Sequence, residues 1–329
     1  MSATGRVPLI KKLEEVTINR IAAGEVVQRP FNAVKEMIEN SLDAGATSVS
    51  ILCKGGGLDM LQIQDSGHGI RKEDLGIVCE RFTTSKISSY DDLKTVTTFG
   101  FRGEALASIT HVANVTITTK TADQPCAYKA RYRDGVLVPL KPNDKPEPQP
   151  CAGTVGTTIT VEDLFHNMRT RKTAFKNGYE EYRRILDVVT KYAIHFGDRG
   201  VAFTCKKHGQ ATPDVHTPSS SSIVGNIKLA YGHGVGRELL TFGANTPATT
   251  VTDTDADALQ ECPAPSFTMS GYVSNANYSS KKGIYIVFIN NRLVECASIR
   301  RVVDQVYGDI LPKNSHPFCY LSLEMPPQH

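Results

Sequence analysis

The sequence predicts an α/β protein of about two domains, because helical and strand-like patterns alternate along its 329 residues. Residues 19–27 and 32–43 have the apolar spacing of helices and are separated by Pro30, which interrupts a helix. Residues 49–54 and 60–64 have the apolar pattern of strands and flank three consecutive glycines. The chain should therefore begin with two helices and a hairpin.

The same alternation predicts further elements in two successive parts of the chain. In the first part we expect a helix at 74–81, strands at 112–120, 128–132, 156–161 and 201–206, and a helix at 179–195. In the second part we expect strands near 267–275, 284–289 and 318–324 and a helix at 298–307. The Pro- and Ser-rich stretch 212–222 marks the predicted boundary, which gives domains of 1–214 and 215–329.

Three stretches are expected to lack regular structure. Residues 141–150, rich in proline and charge, read as a flexible loop, and residues 246–265, acidic and rich in Thr and Pro, read as disordered. Residues 232–236 carry three glycines, but the spacing is wrong for a dinucleotide fingerprint and no strand precedes them. We interpret that stretch as a loop.

Composition restricts the class of protein. No run approaches the ~18 apolar residues that a membrane helix needs, and no apolar secretory segment stands at the N-terminus, so a soluble intracellular protein without a membrane partner is expected. Eight cysteines occur singly without a C-x-x-C pair, which favours reduced thiols in a cytosolic or nuclear protein. A net charge of +3 does not by itself imply a nucleic-acid partner.

The most informative motif is a polar row on the second predicted helix. Glu36, Asn40 and Asp43 are spaced by four and three residues, which places them on one helix face opposite an apolar one. The side-chain oxygen of Asn40 is a neutral hard ligand that suits Mg²⁺, and Glu36, one turn earlier, could orient an attacking water. Taken alone, the same row could simply face solvent.

A second motif, Asp65-x-Gly67-x-Gly69, follows the second predicted strand. A carboxylate accepts hydrogen bonds, so Asp65 suits the exocyclic amine of adenine, and glycines at 67 and 69 would let the backbone approach the base. An ordinary Asp-Gly turn is the alternative interpretation, and for this motif alone it is the better one.

A third motif, GFRGEALASI at residues 100–109, combines glycines with the start of a helix, so backbone amides and the charge of Arg102 could converge on a phosphate. Thr84, Ser85 and Lys86 could also donate to phosphates. A helix-capping turn and a solvent-exposed capping cluster are the alternatives. The common phosphate loop G-x-x-x-x-G-K-[ST] is absent from the sequence.

The order of E-x-x-x-N, D-x-G-x-G, TTSK, GFRGEALASI and Gly153-x-x-Gly156-Thr157 resembles the MutL mismatch-repair ATPases. These share an ATP-binding fold with DNA gyrase, heat-shock chaperone ATPases and histidine kinases. The segments NRIAAGEVVQRP and GFRGEALASI look specific to MutL proteins, and CERFTTSK, TVEDLF and LPKNSHPF make the chain similar to the eukaryotic MLH-type subunit. The resemblance covers about residues 9–328, apart from the two polar stretches.

The resemblance implies a two-layer α/β sandwich ATPase domain, followed by a smaller ribosomal-protein-like α/β transducer domain that is C-terminally truncated. It also implies a lid around residues 83–105 that orders when ATP binds. Glu36 would be the catalytic base and Asn40 the Mg²⁺ ligand. The residues expected around ATP are Asn40, Asp43, Asp65, Gly67, Gly69, Thr84, Ser85, Lys86, Arg102, Gly103, Glu104, Ala105, Leu106 and Thr157.

The resemblance further implies a nuclear protein that pairs with a PMS-type MutL homologue and acts with mismatch-recognition MutS homologues. Non-specific contact with duplex or single-stranded DNA would neutralise phosphates with basic side chains, although each basic cluster could equally be a solvated surface. The three clusters are Arg169, Arg171, Lys172 and Lys176; Lys281 and Lys282; and Arg292, Arg300 and Arg301.

One departure from the family concerns the end of the chain. MutL proteins continue into an H-P-x-K turn whose lysine reaches the terminal phosphate, and this sequence stops at His329 before that turn. We therefore expect a fragment or truncated product that binds ATP but hydrolyses it slowly. A nucleotide-gated binding module with negligible turnover is the alternative. A histidine kinase is disfavoured, because about 35 residues before Glu36 leave no room for a phosphoacceptor hairpin.

Overall fold

The protein, seen in a computed structural model that describes residues 9–175, 177–244 and 267–326, is built from alternating helices and strands. In chain order the helices are α1 (Glu15–Val26), α2 (Pro30–Asp43), α3 (Ala105–Val112), α4 (Arg169–Ala174), α5 (Gly178–His195), α6 (Ile223–Tyr231), α7 (His233–Arg237) and α8 (Ala297–Gly308). The strands are β1 (Ser48–Lys54), β2 (Met60–Asp65), β3 (Asn114–Lys120), β4 (Ala127–Arg133), β5 (Val136–Val138), β6 (Gln149–Cys151), β7 (Gly156–Glu162), β8 (Ala202–Lys207), β9 (Val215–Thr217), β10 (Leu239–Ala244), β11 (Thr268–Ser274), β12 (Ile284–Ile289), β13 (Arg292–Val294) and β14 (Phe318–Glu324).

The first nine strands form one sheet with the order β5-β4-β3-β7-β2-β1-β8-β9, and β6 pairs with the first three residues of β4. Along β1, Val49, Ile51 and Cys53 are buried while Ser48 and Ser50 are exposed. This alternation leaves one apolar face for helices to cover and one face for solvent. The first part of the chain is therefore a two-layer α/β sandwich.

Helices α2 and α5 pack against each other and against this apolar face, and α1 packs on α3. On α5, Ile185, Val189 and Tyr192 recur at helical spacing and are buried. Burial of such a stripe supplies most of the stability of a helix on a sheet. Among the described residues, no helix has both the length and the apolar character that crossing a membrane requires.

The second sheet has the order β10-β11-β14-β12-β13. Its strands β12 and β14 run parallel, and α8 makes the crossover between them. Ile299 and Val303 of α8 pack against a small core around Val287, Cys319 and Leu321. The second part of the chain is thus a smaller α/β layer with its own core.

The end of α5 joins the two sheets. The His195 ring stacks on the Phe288 ring with centroids 3.7 Å apart, and its Nδ1 lies 2.8 Å from the Tyr320 hydroxyl. Tyr192 meets Phe288 edge to face at 5.6 Å. Burial lowers the pKa of His195 to about 3, and the positive charge of Arg199 acts in the same direction. A neutral imidazole is therefore the form that packs between the sheets.

The prediction of a helix at residues 74–81 is wrong. The chain makes a short 3₁₀ helix at Lys72–Gly76 and then continues in turns. The Tyr132 hydroxyl donates to the Leu75 carbonyl at 2.7 Å. An α-helix would use that carbonyl for the amide of Cys79, so a tertiary contact replaces the helical bond.

Four other expectations need correction. α2 begins at Pro30, where a missing amide is harmless, and not at residue 32. Residues His233–Arg237, expected in a loop, form the short helix α7. The stretch 141–150 ends in a strand, since Gln149–Cys151 pairs with β4. β9 lies beyond the expected division at residue 214 but belongs to the first sheet. The stretch 246–265, expected to be disordered, lies outside the described residues.

Candidate active site

The polar row on α2 lies where the sequence predicts it. Ala33, Val34, Met37 and Ile38 are buried on one side of the helix, and Glu36, Asn40 and Asp43 are only half-buried on another. The helix is anchored at its start by Asn32, whose Oδ1 accepts the Arg29 amide at 2.9 Å. The spacing that buries the apolar side chains therefore also directs the three polar ones towards a common space.

Two of these side chains hold a lysine from the following loop. Lys86 Nζ donates to Asn40 Oδ1 at 3.0 Å and to Asp43 Oδ2 at 2.5 Å. Asp43 also accepts the amides of Phe99 at 2.9 Å and Gly100 at 3.0 Å. We call Asn40, Asp43, Lys86 and these two amides the Asn40 cluster. It ties the loops at 86 and 99–100 to one helix.

Glu36 lies one turn before Asn40, and the pKa of its carboxyl is raised above the ordinary value. Burial raises the pKa of the Glu36 carboxyl, and the negative charge of Glu39 raises it further. The positive charges of Lys35, Arg292 and Lys86 oppose this rise. A carboxylate with a raised pKa holds a proton more readily, which is a property of a general base.

Glu39 itself is buried and well bonded. Its Oε1 accepts the Tyr192 hydroxyl at 2.6 Å and lies 3.2 Å from Lys35 Nζ. These partners keep the negative charge of Glu39 fixed beside Glu36. Tyr192 belongs to α5, so the environment of Glu36 depends on how the two helices pack.

Asp65 forms a second group of contacts at the end of β2. Its Oδ1 accepts the amides of Gly67 at 2.9 Å and Thr157 at 3.2 Å, and its Oδ2 lies 3.1 Å from Ser41 Oγ. Burial raises the pKa of Asp65, and the hydrogen bonds from Gly67, Ser41 and Thr157 oppose the rise. The carboxylate is therefore oriented by its neighbours.

Thr119 completes this group. Its hydroxyl accepts the Ile70 amide at 2.8 Å, donates to the Gly156 carbonyl at 3.0 Å and lies 3.0 Å from the Thr157 hydroxyl. Strand register aligns Thr119 and Asp65 with Thr157. We call Ser41, Asp65, Gly67, Thr119 and Thr157 the Asp65 cluster.

Glycines around the Asp65 cluster lie where side chains do not fit. Gly69 has a φ of +78°, and a Cβ there would lie 2.2 Å from the Lys120 carbonyl oxygen. At Gly156, with a φ of +122°, a Cβ would lie 2.1 Å from the Asp65 carbonyl oxygen. A Cβ at Gly67 would lie 2.7 Å from the Ala44 Cβ. The backbone therefore closes tightly around Asp65.

The glycine-rich segment before α3 packs against the loop at 82–83. Gly103 has a φ of +62°, and the Phe82 amide donates to its carbonyl at 3.1 Å. A Cβ at Gly103 would lie 2.3 Å from the Thr83 carbonyl oxygen. Glu104 immediately precedes α3 and lies 3.8 Å from Arg81. This brings the amides at the start of α3 next to the loop that carries Thr84 and Lys86.

The remaining predicted site residues lie on these two loops and in the first turn of α3. Thr84 Oγ1 accepts the Lys86 amide at 3.2 Å, and Ser85 is exposed. Arg102 is exposed, with its guanidinium 5.5 Å from the centroid of the Phe101 ring. Ala105 and Leu106 form the first turn of α3. Thr84 and Ser85 directly precede Lys86 in the chain and Arg102 closely follows Gly100, whereas Gly67 and Thr157 belong to the Asp65 cluster.

The part of the chain that the structure describes has no group of three or more His, Cys, Asp or Glu side chains able to hold a metal ion. A Mg²⁺ bound to ATP needs fewer protein ligands, because phosphates and water supply the others. Asn40 Oδ1 already accepts the ammonium of Lys86. A neutral oxygen that faces a positive charge fits a Mg²⁺ ligand.

The predicted basic clusters divide into structural and exposed members. Arg171 Nη1 donates to the carbonyls of Gly24 at 2.8 Å and Val27 at 3.2 Å, which fastens the end of α1. Arg300 pairs with Asp304 on α8 at 3.6 Å but is exposed, as are Arg169, Lys281, Lys282 and Arg301. Arg292 reaches the Phe99 carbonyl. Lys176 lies outside the described residues.

Sequence reasoning missed Ser41, Thr119 and Arg292 as site residues. Ser41 directly follows Asn40 and is buried on the helix face that meets Asp65, which its sequence position could have indicated. Thr119 had no local signal, since only strand register aligns it with Thr157. Arg292 was grouped with exposed arginines because its fold neighbours are remote in sequence.

Two family models match the chain. Residues 28–147 match the family described as "Histidine kinase-, DNA gyrase B-, and HSP90-like ATPase". Residues 248–329 match "DNA mismatch repair protein, C-terminal domain". The first match includes Glu36, Asn40, Asp65 and the glycine-rich segment before α3.

Curated relatives match over nearly the whole chain. "Putative MutL protein homolog 1" of Schizosaccharomyces pombe is 47% identical over 97% of this chain and 44% of its own length. "DNA mismatch repair protein Mlh1" of Dictyostelium discoideum is 46% identical over 97% of this chain and 37% of its own length. "DNA mismatch repair protein MLH1" of Saccharomyces cerevisiae is 44% identical, with 97% and 38% covered. The chain spans less than half the length of these relatives.

Solved structures share the fold. "Crystal Structure of N terminal domain of a DNA repair protein" is 26% identical with a TM-score of 0.75, covering 94% of this chain and 87% of that one. "Aquifex aeolicus MutL ATPase domain complexed with ADP" has a TM-score of 0.61 and covers 92% of this chain and 94% of that one; at 21% identity it shows the fold alone. Given these matches and its eukaryotic relatives, the chain belongs to the MutL family of DNA mismatch repair proteins.

Proposed function

We propose that this chain binds ATP with Mg²⁺ and hydrolyses it slowly, as the ATPase part of a DNA mismatch repair protein. The observation that carries the proposal is the convergence of two groups on α2. The Asn40 cluster gathers a metal-type oxygen and a lysine, and the Asp65 cluster presents a buried, oriented carboxylate. Ser41 and Asn40 are adjacent on α2, so the two clusters adjoin.

The Asp65 cluster is the proposed adenine site. The Asp65 carboxylate accepts the exocyclic amine of the base, and its Oδ2 has Ser41 as its hydrogen-bond partner among the described residues. The Gly67 and Thr157 amides hold Oδ1, so the carboxylate does not need to reorient when the base enters. One protein of the same fold supports this choice, since the Aquifex aeolicus MutL ATPase domain has been solved in complex with ADP.

The Asn40 cluster is the proposed phosphate and Mg²⁺ site. Asn40 Oδ1 would hold the ion, which would neutralise charge on the phosphate oxygens. Lys86 must leave Asn40 for this to happen, and its freed ammonium can then bind a phosphate oxygen. Asp43 keeps the Phe99 and Gly100 amides in place during the exchange. The need to break the Lys86 contacts is one physical reason for a slow cycle.

The loops around the Asn40 cluster are the proposed lid. Amides of Gly103, Glu104, Ala105 and Leu106 at the start of α3 can donate to phosphates, helped by the positive end of the helix dipole. Thr84, Ser85 and Arg102 lie on the flanking loops and can approach once nucleotide is bound. Residues 83–105 would then exclude water from the phosphate chain.

Glu36 is the proposed general base. Its pKa is raised by burial and by Glu39, which favours acceptance of a proton from the attacking water. The reaction would be in-line hydrolysis, in which positioning and charge neutralisation contribute most of the rate enhancement. Glu36 orients the water, and Lys86 and the α3 amides stabilise charge on the phosphate oxygens.

Phosphate release by the wild type and by Glu36→Ala tests this function. We expect a loss of ~10²-fold or more in rate, because one positioned base contributes about that much. Affinity for a slowly hydrolysed ATP analogue with Mg²⁺, measured by calorimetry, should change by no more than about threefold, because Glu36 acts in the chemical step and contributes little to ground-state binding. Glu73→Ala, at an exposed position, is the matched control.

A nucleotide-gated binding module is the second candidate. The Lys86 contacts to Asn40 and Asp43 favour it, because they compete with the metal. A pure binding module would release phosphate equally with and without Glu36, whereas an ATPase would not. Absence of calorimetric ATP uptake would contradict both candidates.

The cellular role rests on the named relatives. We propose that the chain comprises the N-terminal ATPase domain and residues of the transducer domain of a nuclear MLH-type subunit, with the division between the two just after β9. Its partners would be a PMS-type MutL homologue, MutS homologues and DNA bound without sequence preference. The exposed members of the three basic clusters are the candidates for phosphate contact: Arg169, Lys281, Lys282, Arg300 and Arg301. DNA affinity that does not fall with rising salt would contradict this electrostatic binding.

A further inference from the structure

The turn between β12 and β13 brings the second sheet to the Asn40 cluster. Its residues Asn290 and Asn291 have φ of +48° and +65°, which asparagine tolerates better than most residues. Asn290 bonds the backbone of Met325 twice, accepting its amide at 2.7 Å and donating to its carbonyl at 3.0 Å. Asn291 Oδ1 lies 3.1 Å from His195 Nε2. The turn is fixed on both sides, so the next residue, Arg292, is held in one place.

Arg292 contacts the loop that Asp43 anchors. Its guanidinium donates to the Phe99 carbonyl, while the amides of Phe99 and Gly100 donate to the Asp43 carboxylate. The Phe99 ring packs on Phe196 with centroids 6.2 Å apart. One short segment is therefore held by α2 on one side and by the second sheet on the other.

A second contact joins the same sheet to the surroundings of Glu36. Phe288 of β12 packs on Tyr192, and the Tyr192 hydroxyl donates to Glu39 at 2.6 Å. Glu39 is three residues from Glu36 on α2 and influences its charge. Docking of the second sheet thus supports both the loop that faces the phosphates and the carboxylate beside the base.

We propose that Arg292 is a positioning residue for ATP hydrolysis. By holding the Phe99 carbonyl it fixes the 99–100 segment, whose Phe99 and Gly100 amides orient Asp43, so that this part of the Asn40 cluster keeps its geometry when Lys86 leaves Asn40. This inference rests on the proposed function and adds a specific part for the second sheet. It also separates Arg292, which is half-buried, from the exposed Arg300 and Arg301 with which the sequence groups it.

The first test compares Arg292→Met, Arg292→Lys and the control Arg237→Met, at an exposed position of α7, in the intact chain. We expect Arg292→Met to lower kcat about tenfold, the effect of one lost hydrogen bond in the reacting complex, with KM for ATP within about threefold of wild type. Arg292→Lys should recover part of kcat, and Arg237→Met should match wild type. Thermal unfolding midpoints check that each variant is folded.

The second readout is hydrogen exchange, which requires no turnover. Peptides covering residues 95–102 should exchange about tenfold faster in Arg292→Met, because the 99–100 segment loses one of its two holds. Exchange elsewhere in α2 and the first sheet should stay unchanged. A protein that was merely destabilised would exchange faster throughout.

The third readout is the pH dependence of kcat. The charged groups around Glu36 are Lys35 and Glu39 on α2, Lys86 on the loop and Arg292 on β13. Removing the positive charge at 292 leaves Glu36 easier to protonate, so its pKa rises and the acidic limb of the profile moves to higher pH. Arg292→Lys keeps the charge and should leave the limb in place.

Three results would overturn the inference. They are a kcat of Arg292→Met equal to wild type, a loss of activity that only follows the unfolded fraction, or unchanged exchange at residues 95–102. These are distinguishable from failure of the proposed function, in which the wild type itself shows no Glu36-dependent phosphate release. In that case hydrogen exchange alone tests the contact of Arg292 with Phe99. If residues 95–102 exchanged no faster in Arg292→Met than in the wild type, that contact would not hold the segment.

Discussion

The Asp65 cluster and the Asn40 cluster adjoin on α2 but are assembled in different ways. Asp65, Thr119 and Thr157 lie on neighbouring strands whose register aligns them. In the Asn40 cluster, Lys86 reaches α2 from 46 residues away and Gly100 from 57, both on loops. Sheet register is enforced by the core, whereas loops are held only by a few polar contacts. Base recognition should therefore be rigid and phosphate contacts adjustable.

Of the substitutions that test this comparison, Asp65→Asn should have the largest effect, which is on nucleotide affinity. The amide of asparagine would present a donor to the donors Gly67 and Thr157, or to the exocyclic amine, so one contact must be lost wherever it points. We expect nucleotide affinity to fall by ~10²-fold, in line with loss of a buried hydrogen bond to a charged group. Calorimetric titration with ATP and Mg²⁺ measures it.

The control for this change is Asp74→Asn, which alters an exposed ion pair with Arg71 and should have almost no effect. In the wild type, burial raises the pKa of Asp65, so its protonation removes the acceptor and affinity should fall as pH is lowered through that pKa. Affinity that stays constant down to acid pH, or an Asp65→Asn variant that binds normally, would contradict the adenine role.

Gly69→Ala tests the rigidity of the Asp65 cluster. Gly45 and Gly69 both have left-handed backbones, with φ of +70° and +78°, but a Cβ at Gly45 would meet nothing within 4 Å. We expect Gly45→Ala to cost ~1 kcal/mol in free energy of unfolding for its backbone alone, and Gly69→Ala ~2 kcal/mol more because of the clash with Lys120. Denaturant unfolding measures both. If both variants lost the same free energy of unfolding, the backbone around Asp65 would be flexible enough to accommodate a Cβ at residue 69.

Asp43→Ala tests the adjustable cluster. The variant removes the acceptor of Lys86 and of the Phe99 and Gly100 amides, so the loop should exchange hydrogen faster while the sheet does not. We expect ATP affinity to fall about tenfold, since the loop must then be ordered at the expense of binding. The control is Asp91→Ala, which changes an exposed side chain on the loop between Lys86 and Phe99. If both variants weakened ATP binding equally, Asp43 would have no specific part in holding the loop.

Sequence patterns predicted much of the site because its residues belong to regular elements. Helical spacing placed Glu36, Asn40 and Asp43 on one face, and the end of a strand placed Asp65. The helix expected at 74–81 failed because Tyr132, remote in sequence, binds the Leu75 carbonyl. Ser41 and Thr119 were missed because their roles depend on which strand or helix faces them.

What the sequence by itself determined is the list of chemical groups and their local spacing, because helix and strand periods are set by the backbone. Only the tertiary structure decided that Asp43 anchors a loop, that Glu39 is fixed by Tyr192, and that Arg292 reaches Phe99 over 193 residues. The Tyr192–Glu39 contact follows from the packing of α5 against α2, and the contact of Arg292 with Phe99 follows from the packing of the second sheet against the end of α5. No local pattern encodes that packing, since it depends on apolar faces that meet only in the folded chain.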